Sequence, residues 1–449
     1  MRVELWGILR MISTDTPPRA SSKTSRRILI VSSASLFIDY MAYAMMVPLT
    51  PVSPAGIHCT ADESIIVFAY SIGLLIASAN ISRICRRLSH RSQMLLGTST
   101  LACALCLIGS ATHLSIYILG RLFQGAAAAV TSIAGFAAVA RTYPNQRVRM
   151  LGMVLSAGSV GFISGPLFGG LLFGGLLFGV GSYELPFLCF GFPVALLVLA
   201  QWRFLGGNNP KRAEYALCKP MLYGRSPGNR DDPDHCVDAH DPAMTLCRRP
   251  RVCASPSPLK RRSIGLPALL AGLCSASWAT LEAMVPLTLY QDYEQTPQAV
   301  GTLFSANSLL ATLTGLMIVM FASKVTSSQL AIIGLVFNCA IFFILALIAH
   351  IYALWLAVPL AGVAYSVLVN ASTAMFAERE DGASPPGDVY QQAYGVFSIA
   401  YAIGYGLGSG MEYACASFAS FHSTNLAAGC LCTGLLLIFV KYRTRARGP

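Results

Sequence analysis

Apolar residues run through this chain in long unbroken blocks rather than in the short stripes that mark one buried face of a soluble element. The blocks cover residues 28–50, 64–83, 94–112, 114–140, 150–178, 185–205, 264–290, 298–322, 328–350, 352–377, 390–415 and 421–440. Each is close to or above the ~20 residues that a helix needs to cross a bilayer. Backbone groups without water must bond within their own segment, so every block predicts a helix. The expected fold class is an all-α membrane protein, with twelve transmembrane helices in two six-helix pseudo-symmetric halves. The halves are residues 28–205 and 263–440, flanked by a tail at 1–27, a linker at 206–262 and a basic tail at 441–449.

Composition narrows the class further. The chain has 449 residues, 55% of them hydrophobic and only 12% charged. A soluble domain carries about 25% charged residues, so this chain lacks the polar skin that water requires. The formal charge of +12 could suggest a nucleic-acid partner. Its distribution argues for topology instead. Arg26, Arg27, Arg83, Arg86, Arg87, Arg91, Arg141, Arg147 and Arg149, the stretch from Lys211 to Arg262, and Lys441 to Arg447 all fall at alternate ends of the blocks. The opposite loops carry Asp62, Glu63, Glu184, Asp292 and Glu294 without Lys or Arg. Both termini and the linker are therefore expected in the cytoplasm, with a plasma or inner membrane as host and no nucleic acid as partner. Residues 1–27 are polar and basic, so no cleavable signal peptide is expected.

The linker is rich in Pro, Arg and Asp and has no apolar period, which predicts a poorly ordered connection. Its Cys218, His235, Cys236, His240, Cys247 and Cys253 do not pair at metal-ligand spacings, so no metal is expected. Most of the fourteen cysteines lie in apolar runs, where a thiol packs as a small hydrophobe, and no disulfide framework is expected. Met46-Val-Pro-Leu-Thr50 recurs as Met284-Val-Pro-Leu-Thr288, each copy after an acid, Asp39 or Glu282. The echo predicts a duplication of the first helix of each half. The segment GGLLF at 169–173 repeats at 174–178 and is expected to lengthen the fifth helix.

Charged groups inside a membrane are costly unless paired or wet, which singles out Asp39, Arg121 and Glu282. Asp39 lies about 16 Å into the first block, near the middle of a ~30 Å core. A carboxylate deprived of water can load and release a proton near neutral pH, and an amine-bearing solute can compete for it. The alternative for both acids is a structural ion pair or a water-facing position near a helix end. Arg121 stays charged when buried and needs an anion, carbonyls or water, with Gln124 one turn away and Gly125 beside it. Gly161, Gly165 and Gly169 repeat every four residues, followed by Gly170, and give the fifth helix a smooth face for close packing. Pro166 removes one backbone bond from that helix.

The motif Gly161-x-x-x-Gly165-Pro166-x-x-Gly169-Gly170, together with Arg121-x-x-Gln124-Gly125, resembles the helix 5 and helix 4 motifs of antiporters in the major facilitator superfamily. Within it the chain is most similar to vesicular amine transporters and their drug-efflux relatives, over about 36–205 and 264–415. Asp39 to Pro48, Leu281-Glu282 with Pro286, and Val389-Tyr390 to Tyr405 carry that similarity. The resemblance implies alternating access, proton influx driving export, and a cargo site between the halves lined by Asp39 and Glu282. The family's helix 10 acid stands here as Asn370, its helix 11 aspartate as Ser398, and its helix 2 lysine falls on Tyr70. Losing the lysine and its aspartate together leaves neither as an unpaired buried charge. The helix 2–3 loop departs too, with Arg86, Ser82 and Ser89 at motif positions.

The expected function is proton-coupled export of a small organic molecule, a drug or a secreted metabolite, by a monomer that uses a proton gradient and no cofactor. Uptake or facilitated diffusion is one alternative, and a non-transporting receptor or scaffold of the same fold is another. No nucleophile–base pair, metal set or phosphate loop suggests an enzyme.

Overall fold

The computed structural model describes residues 22–57, 59–88, 90–143, 147–175, 182–205, 265–321, 325–347, 350–377, 386–415 and 421–446. The expected linker at 206–262 lies outside them, as do residues 1–21 of the first tail. The described residues form twelve α-helices, with no strand among them. The first half holds α1 (Ser22–Leu49), α2 (Thr60–Arg87), α3 (His90–Gly109), α4 (Leu114–Thr142), α5 (Arg147–Phe173) and α6 (Leu185–Phe204). The second holds α7 (Gly265–Gln291), α8 (Pro297–Phe321), α9 (Ser327–Leu347), α10 (Ile351–Ala377), α11 (Pro386–Cys415) and α12 (Phe421–Ala446). The twelve helices fall at the twelve blocks read from the sequence.

Eleven of these helices are long and apolar enough to cross a bilayer. The other, α11, carries Ser398, Tyr401, Gly404, Tyr405, Gly406, Gly408, Ser409 and Gly410, small and polar residues suited to packing inside the bundle. Boundaries shift by several residues from the sequence reading, and two of the shifts change its content. Helix α2 starts at Thr60, so Glu63 sits inside its first turns and not in a loop. Helix α5 stops at Phe173, and Gly175 turns the chain with φ of 70°, so the second GGLLF copy opens a turn instead of lengthening the helix.

Backbone-to-backbone approach organises the packing. A Cβ on Gly161 would lie 2.2 Å from the Phe37 carbonyl oxygen, and one on Gly165 would lie 2.6 Å from that of Met41. The glycine row therefore seats α1 directly on α5. On its other face α5 meets α8 of the second half, where a Cβ on Gly170 would be 2.7 Å from the Pro297 oxygen. In the second half, α11 meets α7 in the same way. A Cβ on Gly404 would be 1.9 Å from the Gly272 oxygen, and one on Gly408 would be 2.3 Å from that of Ala276. No side chain larger than hydrogen fits such contacts without moving a helix.

The halves meet through α2 with α11 and α5 with α8, and more narrowly through α1 with α8 and α4 with α11. We call the end bearing the α1–α2 and α7–α8 connections the upper end. Close approaches between the halves lie there, as Gly170 with Pro297 and Gly301 with Pro166, and nearer mid-height, as Gly406 with Ser71. Toward the lower end, Asn370 and residues 396–401 of α11 are only half-buried.

Candidate functional site

Helices α1, α2, α4, α7 and α11 bring their polar side chains to one point at the junction of the halves. Arg121 on α4 and Glu282 on α7 are 2% and 4% exposed, and Arg121 Nη2 lies 3.4 Å from Glu282 Oε1. The pair bridges the two halves. Arg121 Nη1 donates to Gln124 Oε1 at 2.8 Å, one turn along α4. The guanidinium lies over two rings, 5.4 Å from the centre of Tyr43 and 5.1 Å from that of Tyr70. Two neighbouring rings thus offer π electron density to the cation, which substitutes for part of its lost hydration.

Glu282 is equally crowded. Tyr405 donates its hydroxyl to Glu282 Oε2 at 2.6 Å, and the Tyr43 hydroxyl donates to the same oxygen. The Tyr43 and Tyr405 hydroxyls also touch each other, and Trp278 donates its indole N–H to the Tyr43 oxygen at 3.3 Å. One carboxylate thus gathers two phenols and a guanidinium drawn from both halves. Around them stands an aromatic wall. Tyr43 packs on Tyr70 with ring centres 4.9 Å apart, Phe162 on Trp278 at 5.7 Å, and Trp278 on Tyr365 at 5.6 Å.

Asp39 is 3% exposed, one turn before Tyr43 on α1. Among the described residues its carboxylate has no hydrogen-bond or ionic partner. Its charge is felt by Tyr40 and Tyr70, and Tyr70 in turn lies under Arg121, so a line of phenols separates Asp39 from the ion pair. Asn370 donates within its own helix, to the Ser366 carbonyl at 2.8 Å, and lies beside Gly315 of α8. Ser398 is half-buried on α11. No described bond ties either residue to the Arg121–Glu282 pair. Gly125 seats α4 on α2, where its Cβ would be 2.0 Å from the Tyr70 oxygen.

Two buried acids were not singled out by the sequence. Glu63 on α2 is 1% exposed, near enough to Arg121 and Glu282 to feel the charge of each, and its Oε2 has no hydrogen-bond partner among the described residues. Glu412 on α11 is 1% exposed, and its Oε1 has none. Beside Asp62 in the first turns of a helix, Glu63 reads as an ordinary solvated helix-start acid. Its spacing of two turns from Tyr70, through the buried Ile66 and Val67, was the available signal of an inward face.

A family model described as Major Facilitator Superfamily matches residues 32–223 and 268–449. Among curated proteins, "Multidrug resistance protein 2" of Bacillus subtilis (strain 168) is 28% identical over 154 residues, covering 34% of this chain and 38% of that one. "Probable vesicular acetylcholine transporter-A" of Danio rerio is 28% identical over 168 residues, covering 32% of this chain and 33% of that one. The chain thus matches between 33% and 38% of those relatives' lengths. Among solved structures, the nucleoside transporter NupG superposes with a TM-score of 0.67 at 13% identity, covering 93% of this chain and 98% of that one. A bacterial homologue of the human lysosomal transporter Spinster, described as inward-facing and unoccupied, gives 0.60 at 16%, covering 94% and 93%. These likenesses show the fold.

Proposed function

Because the chain belongs to the major facilitator superfamily, we propose that it is a secondary active transporter exporting a small organic molecule, a drug or a secreted metabolite, in exchange for protons. One observation carries this reading. Three buried carboxylates share the junction of the halves with the guanidinium of Arg121: Glu282 pairs with it, Glu63 lies within reach of its charge, and Asp39 stands behind a line of phenols. A low-dielectric core cannot keep so large an excess of negative charge, so protons or a cationic cargo must balance it. Charge balance at the junction then ties ion occupancy to the way the halves meet. The multidrug relative supports an organic cargo, and the basic residues at alternate helix ends support cytoplasmic termini.

In this cycle Asp39 is the group that exchanges a proton, since no described partner competes for it, while the Arg121–Glu282 pair closes the upper end. Comparing small molecules retained by cells with and without the gene identifies the cargo and its direction. Accumulation inside the deletion strain is expected. The cargo so found, added to proteoliposomes holding the full chain, should then drive proton movement reported by a pH-sensitive dye. Asp39→Asn should abolish that signal while the protein still inserts. Normal exchange by the variant would remove Asp39 from the mechanism.

A further inference from the structure

Arg121 is fixed to the first half, yet its ionic partner belongs to the second. Any movement that separates the halves at the upper end takes Glu282 and Tyr405 away together. A guanidinium keeps its charge under all such conditions, so it cannot escape by losing a proton. Left with Gln124 and two ring faces, it would be a buried cation without an anion, among the costliest arrangements in a protein interior.

The first half holds a replacement. Glu63 sits on α2, and α2 and α4 are locked together by two backbone contacts. A Cβ on Gly73 would lie 1.9 Å from the Leu122 oxygen, and one on Gly125 would lie 2.0 Å from the Tyr70 oxygen. Glu63 and Arg121 therefore travel together whatever the second half does. They already interact electrostatically, and Tyr117, one turn before Arg121, also feels the Glu63 charge. Unsatisfied atoms complete the pattern. Arg121 Nε and Gln124 Nε2 are buried donors without a partner, and Glu63 Oε2 is a buried acceptor without one. Such unused donors on Arg121 and Gln124, and an unused acceptor on Glu63, are what a second pairing would need.

We propose that Glu63 is the alternate partner of Arg121: closed at the upper end, the guanidinium pairs with Glu282, and open there, it pairs with Glu63. Glu63 acts through Arg121 and so is a positioning residue, one that lowers the cost of opening. The exchange rests on the alternating-access reading above, but neither on the cargo nor on the proton.

Hydrogen–deuterium exchange of the full chain in lipid nanodiscs tests it, read at the α1–α2 and α7–α8 connections. Glu282→Gln frees Arg121 to move to Glu63, and uptake at both connections should rise several-fold. Glu63→Gln alone should lower uptake below that of the natural protein. The double variant, in which opening gains Arg121 no partner, should lose most of the rise produced by Glu282→Gln, and Glu63→Asp in that background should restore part of it. Should Glu63→Gln fail to accumulate, Glu63→Met provides the same neutral comparison at similar volume. Uptake in the double variant equal to that of Glu282→Gln overturns the partner exchange while leaving alternating access intact. No rise with Glu282→Gln overturns both.

Discussion

The two halves build the same helix pair and furnish it differently. In the first, α1 lies on α5 through Gly161, Gly165 and Gly169; in the second, α7 lies on α11 through Gly404 and Gly408. Sliding the numbering until Met46 falls on Met284 sets Asp39 against Ser277 and Glu282 against Ala44. The packing frame is thus repeated, but the acids occupy different levels of it. Asp39 stands alone among phenols, whereas Ser277 is absorbed into a structural network as acceptor for Asn338 Nδ2 at 2.8 Å. Glu282 bonds across to the other half, where its counterpart Ala44 is only packed core. The packing scaffold recurs in both halves, and differences at single positions make one half's charge depend on the other's.

If the frames are equivalent, they should fail equally when their contacts are filled. Gly161→Val and Gly408→Val each place a Cβ against a carbonyl oxygen, at 2.2 and 2.3 Å before relaxation. Each should destabilise the protein by about 2–4 kcal/mol, seen as a lower unfolding temperature in detergent. Tolerance of one substitution but not the other would show that only one half depends on its glycine row.

Much of the frame was legible in the sequence. Twelve apolar blocks gave twelve helices, because the length needed to span a bilayer leaves little freedom in dividing such a chain. The four-residue spacing of Gly161, Gly165 and Gly169 announced a close-packed face. Arg121 and Glu282 stood out because charge is rare in such surroundings. Their partners did not. Tyr43 and Trp278 sit in apolar runs where an aromatic residue looks like filling, and Tyr70 and Tyr405 stand out only as matching positions. Only the folded arrangement reveals the Tyr43 and Tyr405 hydroxyls aimed at one carboxylate. Glu63 was misread because a short polar approach to a helix hides which face its first turn presents.

Glu412 offers a subtler test of the same likeness. Gly161 meets Phe37 of α1, and Gly408 meets Ala276 at nearly the matching level of α7. One turn further, α5 has Gly165 and α11 has Glu412. The second half therefore places a buried carboxylate, its Oε1 unpartnered, where the first places a glycine. Neutralising a buried polar group that lacks a partner usually relieves strain. Glu412→Gln should raise stability by about 1 kcal/mol, smaller than the glycine effects and opposite in sign. A loss of stability would mean that this carboxylate has a partner in the bilayer.

The smallest effect belongs to a glycine outside the frame. Gly152 lies on α5, like Gly161, yet a Cβ there would meet nothing within 4 Å. If close approach alone explains the row, Gly152→Ala should be harmless, because alanine adds no clash and favours helix by up to ~1 kcal/mol. The expected change is nil to slightly stabilising, with assembly of the bundle unaltered. A clear destabilisation by this substitution would mean that α5 needs its glycines for flexibility along its length. The likeness between α5 and α11 would then rest on bending and not on contact, since α11 crowds its glycines at its upper end.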